Sequence, residues 1–221
     1  SGQLGSGTNE EYSNIPICIS DISGNILNGK KVVEISAGVS HTVAIDNQGK
    51  VYTWGDNEFG QLGDGTTINS NIPICISDLS GNILNGKKIV EISAGFSYTV
   101  AIDDQGKVYT WGYNESGQLG SGTNEEYSNI PICISDLSGN LLNGKKVVEI
   151  STGESRIVAI DNQGKVYTWG NYNNIPICIS EITESLLDGK YIVEIFAGSF
   201  HIAAIDNTGY VVILGKWYND H

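Results

Sequence analysis

The residues of this 221-residue chain that could carry chemistry are three histidines, four cysteines and a series of acidic turns. A general base, a thiol nucleophile or a bound metal needs unlike partners converging on one point. Here the candidates fall instead at matching positions of a repeat. Cys18, Cys75, Cys133 and Cys178 all sit in the phrase Ile-Pro-Ile-Cys-Ile-Ser. Equivalent positions in successive units are too far apart for a disulfide or a shared metal, so the cysteines read as small apolar core residues. Unpaired thiols lean toward an intracellular, reducing compartment. His41 and His201 share a repeat position whose other copies are Tyr98 and Arg156, which points to a structural role beside an Ala-Gly turn; His221 is terminal. Asp46-Asn47-Gln48-Gly49 and Asp56-Asn57-Glu58 lack the Asp-x-Asp-x-Asp-Gly spacing that surrounds a calcium ion. No glycine-rich phosphate loop opens a helix, and no Gly-x-Ser-x-Gly is present. No catalytic, cofactor-binding or metal-binding residue is therefore assigned, and no enzyme activity is expected. Asn114-Glu115-Ser116 is a formal glycosylation sequon.

The elements that must position these residues come from one phrase written four times. Val33-Glu34-Ile35-Ser36-Ala37-Gly38 returns at Val90–Gly95, with Thr152 for alanine at Val148–Gly153 and with Phe196 for serine at Val193–Gly198. So long a period decides the architecture before any local signal does. Each unit predicts four short strands, as in Lys31 to Ser36, His41 to Ile45, Lys50 to Trp54 and Ile72 to Ile76. The apolar stretches are short and β-branched, helical periodicity is absent, and Pro73 suits only an outermost strand. The small residues Ala37-Gly38 place strand one at the crowded centre. Four-stranded antiparallel units in tandem predict an all-β propeller, with a solenoid as the alternative. One repeat domain spans 1–221: an outer strand within 1–30 completing the last blade, repeat one at 31–87, repeat two at 88–145, a shortened repeat three at 146–190 and repeat four at 191–221. The shortening falls at Asn171 to Asn174, where earlier copies carry Gly60-Gln61-Leu62-Gly63 and Gly117-Gln118-Leu119-Gly120. Trp54, Trp111 and Trp169 are expected to pack between blades.

The run from Ala37 to Gly63, with Ala-Gly-x-x-His-Thr-x-Ala-Ile, Gly-x-Val-Tyr-x-Trp-Gly and Gly-Gln-Leu-Gly, resembles the repeat of the regulator of chromosome condensation family. The match continues from Ala94 to Gly120, from Thr152 to Gly170 and from Ala197 to Gly215, where Leu214 replaces tryptophan. The resemblance implies a β-propeller, usually of seven blades, closed by strands from the two ends of the chain. The material here suffices for four blades. Two arrangements stay open: a four-bladed ring closed by Ile15 to Ser20, and part of a larger propeller. The ends of the chain are in phase, as the first requires, while the near-duplication of residues 1–20 at Ser116 to Ser135 and the missing methionine suit the second.

With a formal net charge of −13 and Arg156 as the only arginine, the chain is poorly suited to phosphate backbones, so nucleic acid is not the expected ligand. No apolar run is long enough for a membrane span, and the composition reads as soluble. The first functional expectation is a non-catalytic protein-interaction scaffold, because propeller loops offer a rigid face where the copies differ. The candidate partner-binding residues are Phe96, Tyr98, Arg156, Phe200 and His201, with Trp217 and Tyr218 outside the repeat pattern. The resemblance implies a second reading, guanine-nucleotide exchange on a small GTPase, although the regular repeat spacing leaves no room for the projecting hairpin that the founding member uses. A sugar-binding propeller with one pocket per blade is the third. Self-association is expected if the propeller is cut. No cofactor is implied.

Overall fold

The computed structural model of the chain describes residues 2–8, 12–182 and 187–215. Four antiparallel meanders follow one another: β1 (Val32–Ala37), β2 (His41–Asp46), β3 (Val51–Gly55) and β4 (Ser70–Cys75); β5 (Ile89–Ala94), β6 (Tyr98–Asp103), β7 (Val108–Tyr113) and β8 (Tyr127–Cys133); β9 (Val147–Thr152), β10 (Arg156–Asp161), β11 (Val166–Gly170) and β12 (Asn173–Cys178); and β13 (Ile192–Ala197), β14 (His201–Asp206) and β15 (Val211–Gly215). Each sheet is ordered as in the sequence, and the fourth contains three strands among the described residues. Short 3-10 turns follow the outer strands, as at Ile76–Asp78 and Ile134–Asp136.

One carboxylate per unit folds the hairpin between the second and third strands. Asp46 accepts the amides of Gln48 at 2.9 Å and Lys50 at 3.0 Å through one oxygen, and the Tyr52 hydroxyl at 2.9 Å through the other. Gly49 closes the turn at φ 79°, a conformation that costs a side chain energy. Asp103 and Asp161 repeat the arrangement. In the fourth sheet Val212 stands where the tyrosine would be, and Lys190 Nζ reaches the vacant oxygen of Asp206 at 2.5 Å. That bond, with the hydroxyl and amides of the turn, holds the Asp206 carboxyl well below the usual range.

The sheets stack as blades. The first strands β1, β5, β9 and β13 lie beside one another, and each second strand faces the first strand of the next sheet. Core clusters therefore form between sheets: Val43, Ile45 and Val51 of sheet one pack with Ile89, Ile92, Tyr109 and Trp111 of sheet two. The tryptophans lock successive units together as expected, since Trp111 Nε1 donates to the Gln61 carbonyl and Trp169 Nε1 to that of Gln118, both at 2.9 Å. Carboxylates on the innermost strands bridge in the same way. The amides of Ile92, Ile150 and Ile195 donate to Glu34, Glu91 and Glu149 at 3.0, 2.8 and 3.1 Å.

The N-terminal residues do not complete the last blade within the chain. They lie on sheet one, at the other end of the arc: Trp54 Nε1 donates to the Gln3 carbonyl at 2.9 Å, Asn25 Nδ2 to that of Gly5 at 3.2 Å, and Leu27 is buried against Ala44, Tyr52, Trp54 and Cys75.

In the shortened third unit the glycine-rich excursion contracts to a two-residue connection between β11 and β12. Asn171 and Tyr172 take φ 50° and 74°, the left-handed pair of a type I′ hairpin turn, in which a glycine normally fills the second position. Tyr172→Gly is expected to raise stability by about 0.5–1 kcal/mol by relieving that conformation, read as a higher urea midpoint at unchanged slope. A lower midpoint would mean that the tyrosine ring contributes more than its backbone costs.

Candidate functional site

A four-strand meander puts the connection between strands one and two at the same end of the blade as the connection between strands three and four. Hydrogen bonds tie the two together: the amides of Asp56, Tyr113 and Asn171 donate to the carbonyls of Ser40, Ser97 and Ser155 at 2.8, 2.9 and 2.8 Å. All the variable loops therefore share one face. Around the axis of that face, Gly38-Val39, Gly95-Phe96, Gly153-Glu154 and Ser199 surround an open cavity of about 420 Å³ floored by Ala37, Ala94 and Thr152. The glycines admit close approach here, since a Cβ on Gly38 would lie 2.5 Å from the Gly95 carbonyl oxygen.

The rim is apolar. Val39, Phe96 and Phe200 are exposed by 62, 47 and 53 %, more aromatic surface than a solvated loop needs. Glu154 and His201 are exposed, and Arg156 is half-buried. Among the described residues the Arg156 guanidinium makes no ion pair.

Tyr98 is corrected. It is fully buried, and its hydroxyl donates to the carbonyls of Gly153 at 2.8 Å and Arg156 at 3.1 Å; burial pushes its phenol far up. It therefore cannot touch a partner. It fixes the third loop from below, because its repeat position points sideways into the next blade. His41 occupies the same position one blade earlier and is also buried, with Nε2 3.0 Å from Thr99 Oγ1. Since that hydroxyl donates onward to the Gln61 carbonyl at 3.1 Å, Nε2 is the protonated nitrogen. Nδ1 has no partner, and burial drives the ring's pKa down to about 4. Trp217 and Tyr218 lie outside the described residues. The sequon asparagine is buried, with Nδ2 donating to the Glu125 carbonyl at 2.7 Å, and so is withdrawn from modification.

One surface residue escaped the sequence reading. Tyr172, 84 % exposed, stands over a polar recess formed by Asn114, Glu115, Ser116, Asn124 and Glu126 on the same face. The sequence marks the deletion at this point; only the turn geometry shows that it lifts an aromatic ring outward. Among the described residues no three His, Cys, Asp or Glu side chains gather as a metal site, and no helix is long and apolar enough to cross a membrane.

The model of the RCC1-like domain family matches residues 1–219. The human E3 ubiquitin-protein ligase HERC2 is 30% identical over 172 residues, covering 77% of this chain and 3% of its own length. The crystal structure of human WBSCR16 superimposes with a TM-score of 0.71 at 25% identity, over 85% of this chain and 48% of that one. Prp20p from Saccharomyces cerevisiae, described with its binding to Gsp1p and histones, gives a TM-score of 0.64 at 21% identity, over 84% of this chain and 44% of its own. The chain thus spans a small part of the ligase and less than half of either solved propeller.

Proposed function

Because this chain belongs to the RCC1-like domain family, whose fold is a β-propeller, we propose that it is a non-catalytic scaffold that binds a protein partner on the face carrying its variable loops. The convergence of Val39, Phe96, Glu154 and Ser199, one from each sheet, around a single open cavity carries the proposal. A protein partner with an apolar side chain fits that rim: aromatic anchors supply area at low entropic cost, and one desolvated arginine supplies direction. Fold alone does not confer function. Exchange on a small GTPase has no support beyond a fold likeness to Prp20p, and the third, sugar-binding reading requires like pockets where the loops differ most.

Phe96, Arg156 and Phe200 are the anchors, with His201 and Tyr172 beside them; Tyr98 supports the loop from inside. Changing Phe96, Arg156 and Phe200 together to alanine is expected to abolish capture of partners by the immobilised protein, with the unfolding midpoint little altered because all three are at least partly exposed. Changing Lys87 and Lys88 on the opposite face to alanine serves as the control. Equal partner recovery from the two variants would sink the proposal.

A further inference from the structure

We propose that the partner segment seated on the loop face is basic, and that one of its arginine or lysine side chains enters the recess beside Tyr172. The inference rests on the proposed scaffold role of that face, whose partner it specifies by charge.

Charge is segregated along the strands. Among the described residues all ten lysines lie at the end of the sheets opposite the variable loops, either just before a first strand, as Lys87 and Lys88 do, or after a hairpin aspartate, as Lys50 does. Ten carboxylates balance them there. Lys50 pairs with Asp78, Lys107 with Asp136, Lys165 with Glu181 and Lys190 with Asp206. The loop face is unlike this. The connection from β3 to β4 carries Asp56, Glu58 and Asp64, and that from β7 to β8 carries Glu115, Glu125 and Glu126. Glu154 joins them between β9 and β10, and Arg156 is the single cation among the described residues of the face. Seven carboxylates thus share a surface with one guanidinium, and among the described residues none of the seven is in an ion pair. A cationic partner relieves the repulsion within such a surface and is steered to it; an acidic one is repelled.

The recess lies between the second and third sheets, away from both ends of the arc. It measures about 460 Å³ and is bounded by Asn114, Glu115, Ser116, Asn124, Glu126 and Tyr172; Arg156 is not among its lining residues. Two units build it jointly. The Tyr172 amide donates to the Ser116 carbonyl and the Gly122 amide to the Asn174 carbonyl, both at 2.7 Å. A Cβ on Gly117 would lie 2.7 Å from Asn174 Cα, so the two walls are in contact. Tyr113 adds a second ring: its hydroxyl donates to the Glu115 carboxylate, and it packs on Phe59 with centroids 4.7 Å apart. The bond to Glu115, then burial, then the charges of Glu115 and Glu126 push this phenol up to about 12, which places both carboxylates near one ring. The first unit has Thr66-Thr67-Ile68-Asn69 where the second has Thr123-Asn124-Glu125-Glu126. The acidic pair therefore belongs to this junction and not to the repeat.

An aromatic ring beside two carboxylates suits a guanidinium or an ammonium. The ring takes the face of the cation or its aliphatic stem, and the carboxylates accept its N–H groups. A metal ion fits less well, because among the described residues no three His, Cys, Asp or Glu side chains gather at one point. Val39, Phe96 and Phe200, exposed on the same face, call for apolar residues in the same segment. The occupant is thus a stretch of protein in which arginine or lysine alternates with aliphatic or aromatic residues.

The test is selection of displayed random dodecapeptides on the immobilised 221-residue protein, followed by fluorescence anisotropy of the peptides recovered. Peptides with net positive charge and at least one large apolar residue are expected. Glu115→Gln combined with Glu126→Gln should weaken their binding about tenfold, through loss of charge-assisted bonds to one cation. Tyr172→Gly, which relieves a left-handed backbone and so keeps the fold, should weaken it about threefold. Asp21→Asn combined with Asp188→Asn removes the same charge from the opposite end and should leave binding unchanged. Basic peptides that also lose binding in the Phe96, Arg156 and Phe200 triple variant support both readings. Basic peptides held through Glu115 and Glu126 but indifferent to the triple variant support the recess and count against the rim. Neutral or acidic peptides lost in the triple variant would overturn the basic partner and leave the scaffold role standing. Equal losses from the two charge-removing pairs would overturn the recess in favour of unspecific attraction to an acidic protein, and recovery of no peptide would overturn the proposal outright.

Discussion

Replacing Trp111 with alanine is expected to remove about 4 kcal/mol of stability, within the range for truncating a buried tryptophan. Trp111 is wholly buried in the cluster joining sheets one and two, beside Val43, Ile45, Ile76, Leu84 and Ile89. The fit admits no repair: a Cβ on Gly63 would already lie 2.8 Å from Trp111 Nε1, so the neighbouring loop is seated on the ring and cannot fill the vacancy without leaving its own hydrogen bonds. Trp111→Phe is expected to cost about 1–2 kcal/mol. It keeps most of the apolar volume, and the Gln61 carbonyl that loses the indole still accepts from the Thr99 hydroxyl at 3.1 Å. Trp54→Ala should cost less than Trp111→Ala, because Trp54 belongs to a smaller cluster at the end of the arc. Urea denaturation of the three variants checks the order. In a stack where each blade touches only its neighbours, loss of one interface can also split a single transition into two. Equal losses for Trp54→Ala and Trp111→Ala would show that the blades are less dependent on their interfaces than the packing implies.

The fold is legible in the sequence for a physical reason. Val, Ile and Tyr at period two, Gly at each left-handed turn and Asp at each hairpin are local requirements, so every copy restates them. The tryptophans were legible for the same reason, since each faces the same loop of the neighbouring unit. The site was less legible. The position shared by His41, Tyr98, Arg156 and His201 varies among copies, and variation within a repeat suggests surface. Yet at His41 and Tyr98 the side chain is buried against the next blade, whereas Arg156 is half-buried and His201 exposed, so Tyr98 varies as a packing residue and Phe96 as a surface one. No pattern in one unit separates the two, because the distinction is made by the neighbouring unit. Tyr172 was hidden for a different reason: its exposure follows from the I′ geometry that a shortened loop imposes. The sequence matches residues 15–20 to an outer strand of the last blade, whereas Gln3 and Gly5 are hydrogen-bonded to the first unit and no strand pairs with the free edge of β15 among the described residues.

The stability of the wild-type protein is expected to change little between pH 4.5 and 6.5, and Glu91→Gln should turn that plateau into a slope. A buried histidine and a half-buried glutamate pull in opposite directions. His41 is neutral in the fold, its pKa lowered from 6.5 to about 4 by burial. Below pH 6.5 the unfolded chain takes up a proton that the folded one refuses, so stability is full above 6.5 and falls as pH drops toward 4, by about 3 kcal/mol. Glu91 does the reverse. Burial, opposed in part by the Ile150 amide and reinforced by Glu34 and Glu149, raises its pKa from 4.5 to about 7. The unfolded chain releases that proton first, so stability is full below 4.5 and declines as pH rises through 7, by about 2 kcal/mol after allowance for partial exposure. Glu34 and Glu149, also raised by burial, add to the same slope. Glutamine at position 91 can still accept the Ile150 amide but carries no proton to lose. With the largest opposing contribution removed, the stability of the variant should climb by about 2 kcal/mol from pH 4.5 to 6.5, measured by urea unfolding at fixed ionic strength. A variant that stays flat across this range would mean that His41 titrates normally and that its unpartnered Nδ1 is satisfied in solution by water.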